Sequence, residues 1–174
     1  MSTEHLLNGR ADEAQFAQNP LPVAHAMGVG LGSLHTSEPP TDLPSRTPIE
    51  VDGALRVLET LGPDEQPPHP FGRVRVSTLQ ETLAAVPAQR SLVVTHGAPI
   101  VSAAVLVDSI VTFEDAGCAG LDPAERDLAI VIRSLSETFT SEVSRTFLDG
   151  YLEAGGELPH APTLDWYALV AAFR

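Results

Sequence analysis

Between Ser91 and Asp108 the chain reads SLVVTHGAPIVSAAVLVD, and this stretch limits the fold more than any other. Leu92, Val93 and Val94 form a β-branched apolar run of strand length, and Val105, Leu106 and Val107 form a second. Thr95-His96-Gly97 supplies a turn between them. The spacing predicts strands at about 91–95 and 104–113, the latter folding back near Ser109. Every other periodic segment reads as helix, so the expected class is mainly α with a small β-hairpin (α+β).

Residues 1–20 are polar, contain Gly and Asn and end in Asn19-Pro20; they are read as a loosely ordered N-terminal segment ahead of one helical domain over 21–174. Val23, Met27, Leu31 and Leu34 recur at helical spacing and predict a helix from Pro22 to His35, closed by Pro39-Pro40. Within it, Gly28-Val29-Gly30-Leu31-Gly32 follows no strand and fits neither a P-loop nor GxGxxG. These glycines are read as allowing close packing against a neighbour. A helix over Ile49–Leu61 starts at Pro48 and ends at Gly62-Pro63. PDEQPPHPFGR is a loop, and VSTLQETLAAV is a helix with a hydroxyl cap at Ser77 and Gln80 or Glu81 in its first turn. DPAERDLAIVIRSLSETF places Pro123 in the first turn of a helix with Leu128, Val131, Ile132 and Leu135 as its apolar stripe. SEVSRTFLDGYLEAGG predicts a helix capped at Gly155-Gly156, and TLDWYALVAAFR predicts another.

The chain has 174 residues, enough for one domain with a core, and a mean hydropathy of +0.06. No apolar stretch has bilayer-spanning length, and MSTEHLLNGRADEAQ lacks a secretory pattern, so the expected location is cytoplasmic. A net charge of −13 disfavours nucleic acid and anionic membrane as partners. It suits a cationic small molecule, although solubility alone also accounts for it. All ten basic residues are Arg, which leaves no lysine to hold nucleotide phosphates or form a Schiff base. One cysteine excludes an internal disulfide, and six dispersed histidines offer no metal-ligand spacing, so no metal site is predicted. Cys118, in Gly117-Cys118-Ala119-Gly120, is read as a buried structural thiol, and no Gly-x-Ser-x-Gly elbow occurs.

Several motifs, taken in order, resemble one family. VGLGSLHTSEPPTDLP, LVVTHG, VTFEDAG followed by DPAERDLA, and FLDGYLEAGG are similar to the helical C-lobe of the aminoglycoside phosphotransferases, relatives of choline kinase with a kinase-like fold. The resemblance runs from about residue 22 to the end. It implies a turn shaped by His96 and Gly97, and a role for Asp127 in tying that loop down through backbone hydrogen bonds. It places the family's catalytic aspartate at Ala98, its metal-binding asparagine at Ala103 or Ala104, and its second metal ligand at Thr112. None of these side chains carries the required group. Glu114 and Asp115 remain as candidates for holding a cation or other ligand, against a solvated or capping role.

The family uses ATP and Mg; here neither cofactor is expected, since residues 1–20 cannot form the covering N-lobe and no lysine is present. The resemblance therefore implies a truncated, catalytically inactive phosphotransferase-like chain, a pseudokinase. It would act through protein interaction or regulation, pairing with itself or another protein through the face that the missing N-lobe exposes. The alternative is a residual binder or phosphotransferase for a cationic amine or aminoglycoside. A product with no selected activity is a third reading.

Overall fold

The structure is a computed structural model and describes residues 7–61, 65, 67, 71–88, 90–140 and 142–173. A short strand and a helical turn open it: β1 (Gly9–Arg10) and α1 (Ala14–Ala17). Helices α2 (Pro20–His35), α3 (Thr47–Thr60) and α4 (Val76–Ala84) follow, then β2 (Leu92–Thr95), β3 (Ala104–Val107), β4 (Ile110–Phe113) and β5 (Gly120–Pro123). Helices α5 (Glu125–Thr138), α6 (Val143–Glu153) and α7 (Ala161–Ala172) complete it. The mainly helical class with a β3–β4 hairpin is as the sequence predicts. Among the described residues no helix is long and apolar enough to cross a membrane.

The β content exceeds one hairpin. β1, β3 and β4 form a three-stranded antiparallel sheet, and β2 and β5 form a separate antiparallel pair with Thr95 opposite Gly120. The segment read as a loose lead-in contributes β1, and it buries Ala11 completely and Phe16 almost so. Its order comes from pairing with β3 and from Leu7, whose N–H donates to Ser109 Oγ and whose carbonyl accepts the Ser109 N–H. Asp108 and Ser109 both take positive φ, and this tight turn closes the hairpin at the predicted place.

Two apolar cores flank α5. On one side α2, the three-stranded sheet and α6 bury Met27, Leu31, Leu106 and Phe147; on the other α3, α4 and α7 bury Leu58, Leu83, Trp166 and Val170. Leu128, Val131 and Leu135 face the first core from α5, with Ile132 partly buried beside them. The α2 glycines pack closely against neighbours as predicted, Gly28 and Gly32 against α6 and Gly30 against Val111 of β4. A Cβ at Gly28 would collide with the Phe147 carbonyl, and one at Gly32 would stand 2.7 Å from the Tyr151 carbonyl. Backbone approaches backbone there, and any side chain would force the helices apart.

Three local expectations fail for nameable reasons. Helix α4 starts after Arg75 with no side-chain cap, so Ser77 sits inside the first turn and does not precede it. Pro123 ends β5, and α5 begins two residues later at Glu125, because pairing with β2 extends the chain through Pro123. Cys118 is exposed rather than buried. The loop read over 63–73 lies largely outside the described residues.

Candidate functional site

Strand β2 delivers the chain into the turn at His96 and Gly97. Thr95, fully buried, donates its hydroxyl to the Gly120 carbonyl at 3.0 Å and accepts Arg126 Nη1 at 2.8 Å. Asp127, on the first turn of α5, accepts the His96 N–H at 2.6 Å on one oxygen and the Gly97 N–H at 2.7 Å on the other. Gly97 has φ +88°, and an added Cβ would run into the Cys118 carbonyl. The turn is therefore fixed by a buried carboxylate and by a residue with no side chain.

Behind Asp127 lies a second layer. His35, at the end of α2, places Nε2 3.2 Å from Asp127 Oδ2 and Nδ1 2.9 Å from the Tyr151 hydroxyl. Burial, with Glu125, Asp127 and Glu157 nearby, pushes the Tyr151 pKa well above the usual phenol value, so the hydroxyl keeps its proton. The Tyr151 hydroxyl then donates to Nδ1, and Nε2–H donates to the carboxylate, which fixes the orientation of the His35 ring. Three helices thus converge on one loop anchor.

Arg126 forms the other support. It is 1% exposed, its Nε and Nη2 grip the Glu50 carboxylate at 2.9 and 2.6 Å, and Nη2 also donates to the Cys118 carbonyl at 3.0 Å. Burial works against its charge, but Glu50, Asp127 and Asp122 outweigh burial and raise its pKa. Asp122 in turn accepts the Ser45 hydroxyl and the Arg46 and Thr47 N–H groups, capping α3 from β5.

The positions that the sequence resemblance assigns to chemistry are apolar or neutral. Ala98 follows the fixed turn, half-buried, its N–H 3.3 Å from His96 Nδ1. Ala104 is fully buried in the core, whereas Ala103 is half-buried and its carbonyl accepts the Glu114 N–H at 2.8 Å. This places Ala103, rather than Ala104, beside Glu114. Thr112 is exposed, opposite Val105 on the outer face of the sheet. Glu114 is engaged: Arg10, next to Val105 across β1–β3, reaches over that face to Glu114 Oε2 at 3.0 Å and also donates to the Ser102 carbonyl. Asp115 is exposed with φ +62° and starts a short 3₁₀ turn without a side-chain cap bond.

Magnesium asks for hard oxygen ligands in a near-octahedral array. The donor set here does not fit it: Ala98 and Ala103 offer none, Thr112 offers one hydroxyl, the Glu114 carboxylate is answered by a guanidinium, and Asp115 adds a single exposed carboxylate. Among the described residues no three His, Cys, Asp or Glu side chains gather in a way that would hold a metal ion.

The sequence pointed to His96, Gly97 and Asp127 as the loop scaffold, and these three do meet. It missed His35, Tyr151, Arg126, Glu50 and Arg10. The Asp-x-x-x-Arg-Asp spacing over 122–127 was the only local signal for the Arg126 cluster.

No protein-family model matches the sequence, and no curated protein matches it. Solved structures do match by fold. An aminoglycoside-3'-phosphotransferase of type VIII superposes with a TM-score of 0.75 at 22% identity, over 98% of this chain and 67% of its own. An aminoglycoside phosphotransferase from Streptomyces rimosus gives 0.69 at 20% identity, over 97% and 67%. A choline/ethanolamine kinase family protein from Mesorhizobium loti gives 0.64 at 18%, over 97% and 55%. The chain has the fold of these kinase-like phosphotransferases and spans between about half and two thirds of their length.

Proposed function

We propose that this chain is a non-catalytic form of the phosphotransferase fold, kept as a protein-interaction or regulatory module. One observation carries the reading: Asp127 anchors the His96 and Gly97 amides of the loop, yet the position that the resemblance gives to the catalytic aspartate is Ala98. Phosphoryl transfer depends on a positioned base and on metal ions that neutralise the transferring phosphate. Loss of the base alone forfeits roughly 10²- to 10⁴-fold in rate. Ala103 and Thr112 add the loss of metal ligands, and the Arg10–Glu114 pair lies across the sheet face beside them.

The contact surface in this reading is the outer face of β3–β4. Val107 is 58% and Ile110 69% exposed, directly opposite each other, with Val105 behind them. An apolar strand face turned outward favours cover by protein, either a second copy of this chain or an active relative. The acidity of the chain leaves a second role, retention of a cationic amine or aminoglycoside, as the competing reading.

A thermal-shift panel with phosphate-release assay separates the readings. Millimolar Mg-ATP is expected to leave the melting temperature unchanged, with no phosphate transferred to an aminoglycoside. Stabilisation by Mg-ATP defeats the non-catalytic reading. Stabilisation by an aminoglycoside alone selects the binder.

A further inference from the structure

A cavity of about 140 Å³ lies between the start of β2, the first turns of α5 and the α6–α7 connection. Its walls are largely apolar, including Val93, Leu128, Leu158 and Pro159. Glu125 also lines it and is only 4% exposed. A carboxylate withdrawn from water needs a cation and hydrogen bonds. The described residues supply two groups, and both go to the same oxygen: the His160 N–H at 2.9 Å and Arg90 Nη1 at 3.0 Å.

The cation is unusual in its placement. Arg90 is substantially exposed, on the segment leading into β2, and its other nitrogen stands 4.0 Å from Glu157, a largely exposed carboxylate at the cavity's rim. Arg90 can therefore turn outward to Glu157 without losing an acidic partner. Glu125 would then face the cavity with the His160 N–H but without its cation. An incoming cation of the same planar shape restores the pair, while its hydrocarbon body takes the apolar wall. A pocket of about 150 Å³ accommodates a benzene-sized body. The field favours a cation too, because Glu125 and Glu157 both lie close enough to help raise the Tyr151 pKa, after burial itself.

We propose that this cavity is a binding site for a small planar organic cation, an amidinium or guanidinium on a short apolar body, seated on Glu125 in place of Arg90. The site also has a route to the loop. Tyr151 and His35 line the same cavity, and His35 holds Asp127, which holds the His96 and Gly97 amides. Occupancy is therefore read at the turn. The proposal shares no residue with Ala98, Ala103 or Thr112, so its failure leaves the non-catalytic reading untouched, and the reverse.

Calorimetric titration of the full chain with benzamidine, against neutral benzamide, tests it. Benzamidine is expected to bind, and to bind Arg90→Ala about tenfold tighter, because the competing charged hydrogen bond is gone. Benzamide is expected not to bind, and Glu125→Gln to abolish benzamidine binding. Backbone amide resonances of His96 and Gly97 should shift on saturation. Equal binding of benzamide, no gain in Arg90→Ala, or retained binding in a folded Glu125→Gln overturns the site. Where Glu125→Gln does not fold, the Arg90→Ala gain and the benzamide comparison decide.

Discussion

Asp127 and Gly97 are joined by one short hydrogen bond, 2.7 Å from the Gly97 N–H to Oδ1, across 30 residues of chain. The other oxygen takes the His96 N–H and faces His35, so a single fully buried carboxylate joins α2, α5 and the β2 turn. Asp127→Asn keeps the shape but presents an amide NH₂ where an N–H donor already points. The expected cost is about 3 kcal/mol, from weakened charged hydrogen bonds and one donor–donor clash. Urea unfolding measures it. A cost under about 0.5 kcal/mol would mean that the loop is held by something else.

Gly97→Ala tests the same turn from the backbone side. At φ +88° a side chain is strained, and the new Cβ would press on the Cys118 carbonyl and stand 2.8 Å from Arg126 Nη2. Positive φ and crowding together predict a loss of about 2–4 kcal/mol. Gly53→Ala, where an added Cβ meets nothing within 4 Å, is the control and is expected to be neutral or stabilising. Matched urea melts of the two variants separate the site effect from a general glycine effect.

Gly28→Ala addresses the α2–α6 contact. The Phe147 carbonyl and the Tyr151 N–H occupy the space a methyl group would need, so the helices must separate. Separation also moves Tyr151 relative to His35, which sits about two turns further along the same face of α2. The expected result is a loss of about 2–3 kcal/mol together with a shift of the His35 ring signals in NMR. Unchanged ring signals would uncouple helix packing from the loop anchor.

Elements whose pattern is local were legible in the sequence. The stripe Leu128, Val131, Leu135 gave α5, Gly155 at φ +89° ended α6 as read, and the α2 glycines were recognised as a packing device. Gly-Leu-Asp-Pro at 120–123 carries no strand signal, because β5 exists through its pairing with β2. Arg10 and Glu114 are 104 residues apart, and Asp122 caps α3 from some 75 residues away. No window of sequence contains both halves of such a contact. The candidate site was thus readable where one loop makes it, and unreadable where charges arrive from distant strands.

On the non-catalytic reading proposed above, supplying one side chain should not produce chemistry. Ala98→Asp places a carboxylate after the fixed turn, but Ala103 and Thr112 still provide no metal ligand pair, and Arg10 still holds Glu114. The expected outcome is a folded protein with no ATP-dependent phosphate transfer to an aminoglycoside above the parent's level. Transfer gained by this single change, measured by coupled ADP release, would show that the remaining groups suffice.

Asp122 sets the acid limit of stability. Burial works to raise its pKa, but the Ser45, Arg46 and Thr47 hydrogen bonds and the Arg126 charge outweigh burial and hold it below the usual 3.8. A carboxyl depressed in the folded state contributes fully above the unfolded pKa and loses that contribution as pH falls through the folded value. Wild type should therefore lose stability below about pH 4 more steeply than Asp122→Asn. The variant starts lower at pH 7, and the gap narrows as acid is added. The same cluster acts in alkali. Tyr167 bonds Thr47, which bonds Asp122, and burial foremost pushes the Tyr167 pKa up to about 12 from 10.0. Its neutral form contributes fully below pH 10.0 and loses that contribution as pH rises toward about 12. Tyr167→Phe should flatten the alkaline limb and leave the acid limb alone. Urea melts from pH 3 to 11 on the three proteins check both limbs, and parallel curves at either end would remove that residue from the cause.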